Sequence, residues 1–176
     1  MNSKSLEERK MERLNEPQQV YIIESLEHEK FSISAEALRQ AKTFVALVEN
    51  LSPELFQENS IYLETITTPT LERVVEWIEY HKKDGPVVEL TGGRQRETVI
   101  PDWDSQFLAK MSNGELFDLL CAATYLDIHR LLHYGCKAVA NMANGKSTEE
   151  LRVLFGIKSD EEAEEDALYE PGPSTR

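Results

Sequence analysis

Ser112-Asn113-Gly114-Glu115-Leu116-Phe117-Asp118-Leu119-Leu120-Cys121-Ala122-Ala123-Thr124-Tyr125-Leu126-Asp127-Ile128 carries the organisation of the second half of this chain. Ser112 and Glu115 have the spacing of a capping box, in which each residue satisfies an orphan backbone N–H at a helix start. Leu116, Leu119, Leu120 and Ala123 then recur as one apolar stripe of a helix. Asp127 is placed to cap the next helix, with Ile128, Leu131, Leu132, Val139 and Met142 inward and Asn144-Gly145 closing it. Ser147 and Glu150 repeat the capping box ahead of Leu151, Leu154 and Phe155, and Gly156 is the stop. Upstream, Trp103, Phe107 and Met111 recur every fourth residue after Pro101, as on one helix face.

Several short, well-capped helices in so few residues make small surfaces rather than one deep core. Apolar residues outside the strict stripes, Phe117, Leu131, Leu154 and Ile157, are therefore expected to stay partly uncovered, which marks a partner site. The aromatic pair Trp103 and Phe107 is expected in simple core packing.

The first half reads as a small sheet with helices. Val20-Tyr21-Ile22-Ile23 and Phe31-Ser32-Ile33-Ser34 flank the polar Glu27-His28-Glu29, a hairpin without the usual glycine or asparagine. Ser34 is expected to cap one helix carrying Leu38, Ala41, Phe44, Val45, Val48 and Leu51, broken at Ser52-Pro53. Ile61-Tyr62-Leu63 is a short strand, and Thr68-Pro69 a cap followed by proline at the first helical position. Leu71, Val74, Val75 and Ile78 then form a stripe. Lys82-Lys83 and the breakers Gly85-Pro86 end that helix, with His81 expected on its last carbonyls. The fold class is α+β.

Composition narrows the function. The 176 residues suit one domain with a modest core and tails. Acidic residues outnumber basic ones 32 to 19, for a net charge of −13, so no nucleic acid or anionic membrane is expected as partner. No segment approaches eighteen apolar residues, and Met1 to Glu8 lack a signal-peptide core. An intracellular chain is expected, its two cysteines, Cys121 and Cys136, reduced and buried. Residues 1–17 read as a charged tail that could hold a short helix from Ser5, and 86–99 as a flexible loop around Gly92-Gly93. Residues 161–176 read as a disordered acidic tail.

Chemistry of its own finds little support. His129, His133 and Cys136 have helical spacing but lack the paired spacings of a structural zinc site. Cys121 with His129 lacks the electropositive surroundings that a thiolate nucleophile needs. Gly92-Gly93 is followed by neither a helix nor a Lys-Ser/Thr pair, so it is no phosphate loop. No cofactor, no metal and no enzyme activity are expected.

Ile100-Pro101-Asp102-Trp103-Asp104, Gly114-Glu115-Leu116-Phe117-Asp118-Leu119, Tyr125-Leu126-Asp127-Ile128, Cys136 to Met142, Asn144-Gly145-Lys146-Ser147 and Glu149-Glu150-Leu151-Arg152 follow in one order. Taken together they resemble the S-phase-kinase-associated adaptor family, which links F-box proteins to a cullin in ubiquitin ligases. Gln40 to Leu51 and Val74-Val75-Glu76-Trp77 with His81-Lys82-Lys83-Asp84 extend the likeness over about residues 19–160. The resemblance implies a BTB/POZ fold over 18–126 and a C-terminal helical F-box-binding extension over 127–160. It implies cullin contacts at Leu63, Ala123, Thr124, Tyr125 and Leu126. It implies F-box contacts at Phe117, Leu120, Cys136, Val139, Ala140, Met142, Lys146, Leu151, Phe155, Ile157 and Lys158. A non-catalytic adaptor, cytoplasmic and nuclear, follows; the alternative is a homodimeric or otherwise self-associating BTB scaffold that has lost one of the two bridging contacts. Where the family usually has Ala-Asn-Tyr-Leu this chain has Thr124, and Tyr62-Leu63-Glu64-Thr65 stands for Pro-Leu-Pro-Asn. Where the family adds a further helix with aromatic residues after Ile157-Lys158-Ser159-Asp160, this chain has an acidic run and then Pro171-Gly172-Pro173.

Overall fold

A computed structural model of the chain describes residues 20–50, 60–85 and 99–158. The elements run β1 (Val20–Glu24), β2 (Lys30–Ser34), α1 (Ala35–Leu38), α2 (Lys42–Asn50), β3 (Ile61–Tyr62) and α3 (Thr68–Tyr80). Four helices follow: α4 (Asp102–Ala109), α5 (Asn113–Tyr125), α6 (His129–Ala143) and α7 (Thr148–Phe155). The expectations for residues 1–17, Ser52-Pro53, the loop 86–99 up to residue 98, and the tail from residue 159 lie outside the described residues.

The sheet has the order β2-β1-β3. β1 and β2 form the expected antiparallel hairpin, with Tyr21 opposite Ile33 and Ile23 opposite Phe31; β3 joins β1 in parallel. Alternation puts Tyr21, Ile23 and Ile33 in the core, against α1 and α3. His28 takes the left-handed conformation that glycine or asparagine usually supplies, with φ of 65°. Its ring stacks on Tyr62 and bonds Glu24, which fixes the turn locally.

Ser34 caps its helix as expected, its side chain accepting from Ala37 N–H. That helix is not continuous: it stops at Leu38 and α2 restarts at Lys42. The reason lies far along the chain, because the N–H groups of Lys42 and Thr43 bond the carbonyls of Asp127 and Leu126. Leu38, Ala41, Phe44 and Val48 are nonetheless all core, as their spacing required.

α3 begins at Thr68, so its cap position is Thr67 rather than Thr68, and the Thr67 side chain makes no capping bond. Glu27 substitutes for it: one carboxylate oxygen accepts from both Thr68 N–H (2.6 Å) and Thr68 Oγ1 (2.7 Å). Bonding to the Thr68 hydroxyl and N–H holds the Glu27 carboxyl below its usual range. Leu71, Val74, Trp77 and Ile78 are buried, with Val75 at the margin.

Asp127 does not cap α6. With φ of 55° it ends α5 instead, since its N–H bonds Thr124 O and Ile128 N–H bonds Ala123 O. Those two bonds make a Schellman closure, which needs a left-handed residue at this point. The cap position of α6 is Ile128, without a side-chain bond. α7 closes in the same manner at Gly156, with φ of 64°.

His81 does not serve the end of α3 by its ring. It is buried, with Nδ1 2.6 Å from Asp84 Oδ2 and Nε2 3.1 Å from Asp104 Oδ1. Asp104 on α4, 1% exposed, also accepts from Trp77 Nε1 at 2.7 Å. Arg130 on α6 reaches Asp84 and the Gly85 carbonyl. A polar chain thus ties α4, the end of α3 and the start of α6. Trp103 is only half-buried, stacked between Tyr80 and the buried Phe107.

Candidate functional site

Both ends of α5 reach a surface. Its start is held by the expected capping box, Ser112 Oγ accepting from Glu115 N–H while the Glu115 carboxylate accepts from Ser112 N–H. Bonds from the Ser112 hydroxyl and N–H keep the Glu115 carboxyl below its usual range. Leu116, Leu119, Ala122 and Ala123 bury one face against α3 and the core. That placement leaves Thr124 and Tyr125 exposed at the far end, Tyr125 by 49%.

Of the five residues on the expected cullin side, only these two are surface. Leu63, Ala123 and Leu126 are core side chains, 2%, 0% and 0% exposed, so they support that face rather than form it. The residues that join Tyr125 there are Thr65, Thr67, Thr70, Asp118 and Cys121, around a shallow cavity of about 200 Å³. The sequence offered no signal for them: the threonines lie on the α3 approach, and their neighbourhood to α5 is long-range. Thr43 Oγ1 donates to the Tyr125 carbonyl at 3.0 Å, fixing the turn. Thr124 Oγ1 donates to Leu120 O at 2.9 Å, back into its own helix.

The other surface runs over α5, α6 and α7. Phe117 and Phe155 stack at 5.8 Å between ring centroids, which joins α7 to α5. Phe117, Leu120, Val139, Met142 and Leu151 are half-buried, while Cys136, Ala140, Lys146 and Lys158 are exposed. Phe155 is 39% and Ile157 58% exposed. Every residue expected on the F-box side thus has accessible surface. α7 buries no residue at all, although Leu151, Leu154 and Phe155 give it an ordinary amphipathic pattern. Val153 is 84% exposed, more than any other large apolar side chain on this helix. An apolar residue outside the α7 stripe was the signal for it.

Two expectations are corrected here. Leu131 is fully buried rather than uncovered, because α6 enters the core at its start. Cys121 and Cys136 are both exposed free thiols, since each sits one position off the buried stripe of its helix. Gly135 is buried where α6 crosses α5; a Cβ there would lie 2.2 Å from Leu120 Cδ2. Ser147 and Glu150 form the expected capping box, and bonding to the Ser147 N–H and hydroxyl keeps the Glu150 carboxyl low.

Among the described residues, no group of three or more His, Cys, Asp or Glu is placed to hold a metal ion. His129 meets Lys42 and Asp127 rather than Cys121. No described helix is long and apolar enough to cross a membrane.

Two family models match the chain: the Skp1 family tetramerisation domain over residues 19–83, and the Skp1 family dimerisation domain over residues 129–170. The first is a POZ-type domain, in keeping with the small sheet and its helices. The second match runs past residue 160 into the acidic run. The chain is 39% identical to an E3 ubiquitin ligase complex SCF subunit sconC of Talaromyces stipitatus, over 68% of this chain and 76% of that protein. It is 37% identical to a Skp1-related protein of Caenorhabditis elegans, over 82% of this chain and 84% of that protein.

Proposed function

The chain belongs to the Skp1 family, and from that premise we propose that it is a non-catalytic adaptor of an SCF-type ubiquitin ligase. In this reading it bridges a cullin scaffold to F-box substrate receptors, in cytoplasm and nucleus. The observation that carries it is α7. A helix with an apolar stripe and no buried residue has half a core, and a partner helix supplies the other half. Phe117, Leu151, Phe155 and Ile157 offer the apolar contact, and Lys146 and Lys158 offer charge at its rim.

The second contact is assigned to the Thr124–Tyr125 end of α5. A half-exposed tyrosine beside a shallow polar cavity is suited to anchor a scaffold. The two surfaces lie at different parts of the helical half, so both partners can be held at once. No chemistry is needed from this chain.

The test is co-purification of the chain with both a cullin and an F-box protein, using one variant for each contact. Tyr125→Lys is expected to weaken cullin capture by about 2 kcal/mol or more, typical for an anchor residue, and to leave F-box capture intact. Phe155→Lys is expected to do the reverse. A folded Tyr125→Lys chain with undiminished cullin capture would remove the placement. The second reading is self-association through the same uncovered helices, which the family's dimerisation description favours. Sedimentation of the free chain and of the Phe155→Lys variant separates the two.

A further inference from the structure

The cavity beside Tyr125 has a chemistry of its own. Its floor is apolar, from the buried Ile66 and Ala122, and its walls carry the hydroxyls of Thr65, Thr67 and Thr70 with the Asp118 carboxylate. No lysine, arginine or histidine lines it. Arg73, one turn along α3 from Thr70, is held by Glu76 at 3.0 Å and stays outside. Thr67 and Thr70 share one hydrogen bond between their hydroxyls. Among the described residues no hydrogen bond or ion pair engages the Asp118 carboxylate or the hydroxyls of Thr65 and Tyr125. The cavity is therefore rich in acceptors, with one unanswered negative charge.

The helix ends point the same way. Tyr125 closes the last turn of α5, which carries no basic residue, so the negative end of that 13-residue helix is uncompensated by its own sequence. The start of α3, on the opposite wall, supplies little positive field. The Thr68 N–H is taken by the Glu27 carboxylate, and Pro69 has no N–H. At about 200 Å³ the cavity falls below the range of about 300–1,000 Å³ usual for small-molecule sites, and suits a single side chain.

We propose that this cavity receives an arginine side chain of the scaffold protein, with its guanidinium on the Asp118 carboxylate. Acceptors spread over α3, its approach and α5 match a planar group with five N–H donors better than a compact ammonium. The arginine stem finds an apolar floor, and Tyr125 supplies an aromatic ring for the guanidinium plane. An exposed ion pair contributes little, but this one is desolvated once the scaffold covers the cavity. The inference rests on the scaffold reading and adds the group that Tyr125 alone does not select.

The experiment keeps the two apart. Cullin capture by the full chain is measured for Asp118→Asn, Asp118→Arg and Tyr125→Lys, and F-box capture through the other surface verifies that each variant is folded. Asp118→Asn keeps the shape and removes the charge, so it should weaken cullin capture about 10-fold. Raising salt from about 50 to 300 mM should weaken capture by the native chain at least about 3-fold more than capture by this variant. Asp118→Arg should weaken capture by about 100-fold or more, and one Arg→Glu change on the cullin should restore at least about 10-fold of it. Rescue by a lysine change, or by none, overturns the proposal. If Tyr125→Lys weakens capture while Asp118→Asn leaves both capture and its salt dependence unchanged, the arginine is refuted and the scaffold reading stands. Undiminished capture by a folded Tyr125→Lys chain removes the scaffold reading and this inference together.

Discussion

Replacing Asp104 by alanine removes the carboxylate on which two buried ring nitrogens converge. Its Oδ1 takes the indole N–H of Trp77 at 2.7 Å and faces His81 Nε2 at 3.1 Å. All three residues are nearly solvent-free, so no water replaces the lost oxygen without opening the packing. A buried polar group left unpaired costs about 1–3 kcal/mol, and both Trp77 and His81 lose their partner here. Asp104 Oδ2 has no hydrogen-bond partner among the described residues, so alanine also relieves one desolvated atom. The net expectation is a loss of about 3 kcal/mol, a large share of the 5–15 kcal/mol typical of a domain. Equilibrium urea unfolding measures it, with a melting temperature lower by about 6–12 °C as the companion reading. Asp104→Asn keeps an acceptor for Trp77 and should lose less. The decisive form is a cycle with His81→Ala, in which the double variant should fall short of the summed losses by about 1 kcal/mol or more. Strict additivity, or a loss under about 1 kcal/mol with unchanged m, would mean that this network does not tie α3 to α4.

Ser147→Ala removes the cap of a helix that has no core of its own, so about 0.5–2 kcal/mol of local stability is lost. Amide exchange should quicken in α7 first and F-box capture should weaken; unchanged exchange there would refute it. Asp127→Gly should stabilise the chain by about 0.5–1 kcal/mol, because the left-handed closure of α5 favours glycine, whereas Asp127→Val should destabilise it. The same sign for both in urea melts would contradict that account. Glu79 is pushed up by burial, but bonds from Ser34 N–H, Lys82 and the Ser34 hydroxyl outweigh this and hold it low; Glu115 and Glu150 are held low by their caps. Lowered carboxylates contribute stability above their unfolded value and lose it as pH falls through the folded one. The urea midpoint should therefore change little from pH 7 to 5 and fall below about pH 4.5, less steeply in Glu79→Gln.

Features whose partners lie within one helical turn were readable from the residues alone. Both capping boxes, the Ser34 cap and the Gly156 stop need only residues three or four apart, and all four hold. Misreadings arose where a distant residue took over a local role. Thr68 was a sound cap by type, yet Glu27, 41 residues earlier, already occupies its N–H. Asp127 has the chemistry of an N-cap but the backbone of a helix closure, and no propensity separates the two. His81 followed the rule for helix ends until Asp104, 23 residues on, met its ring. The candidate site poses a deeper difficulty. Leu119 and Leu131 lie in apolar helical stripes as Leu151 and Phe155 do, yet the first pair is fully buried and the second is not. Amphipathic spacing records that a face is to be covered, not by which chain. A stripe meant for the domain's own core and one kept for a partner helix have the same sequence signature. Resemblance to a family could point to the second kind in advance. Only the placement of α7, none of whose residues is buried among the described residues, turns that pointer into a physical argument.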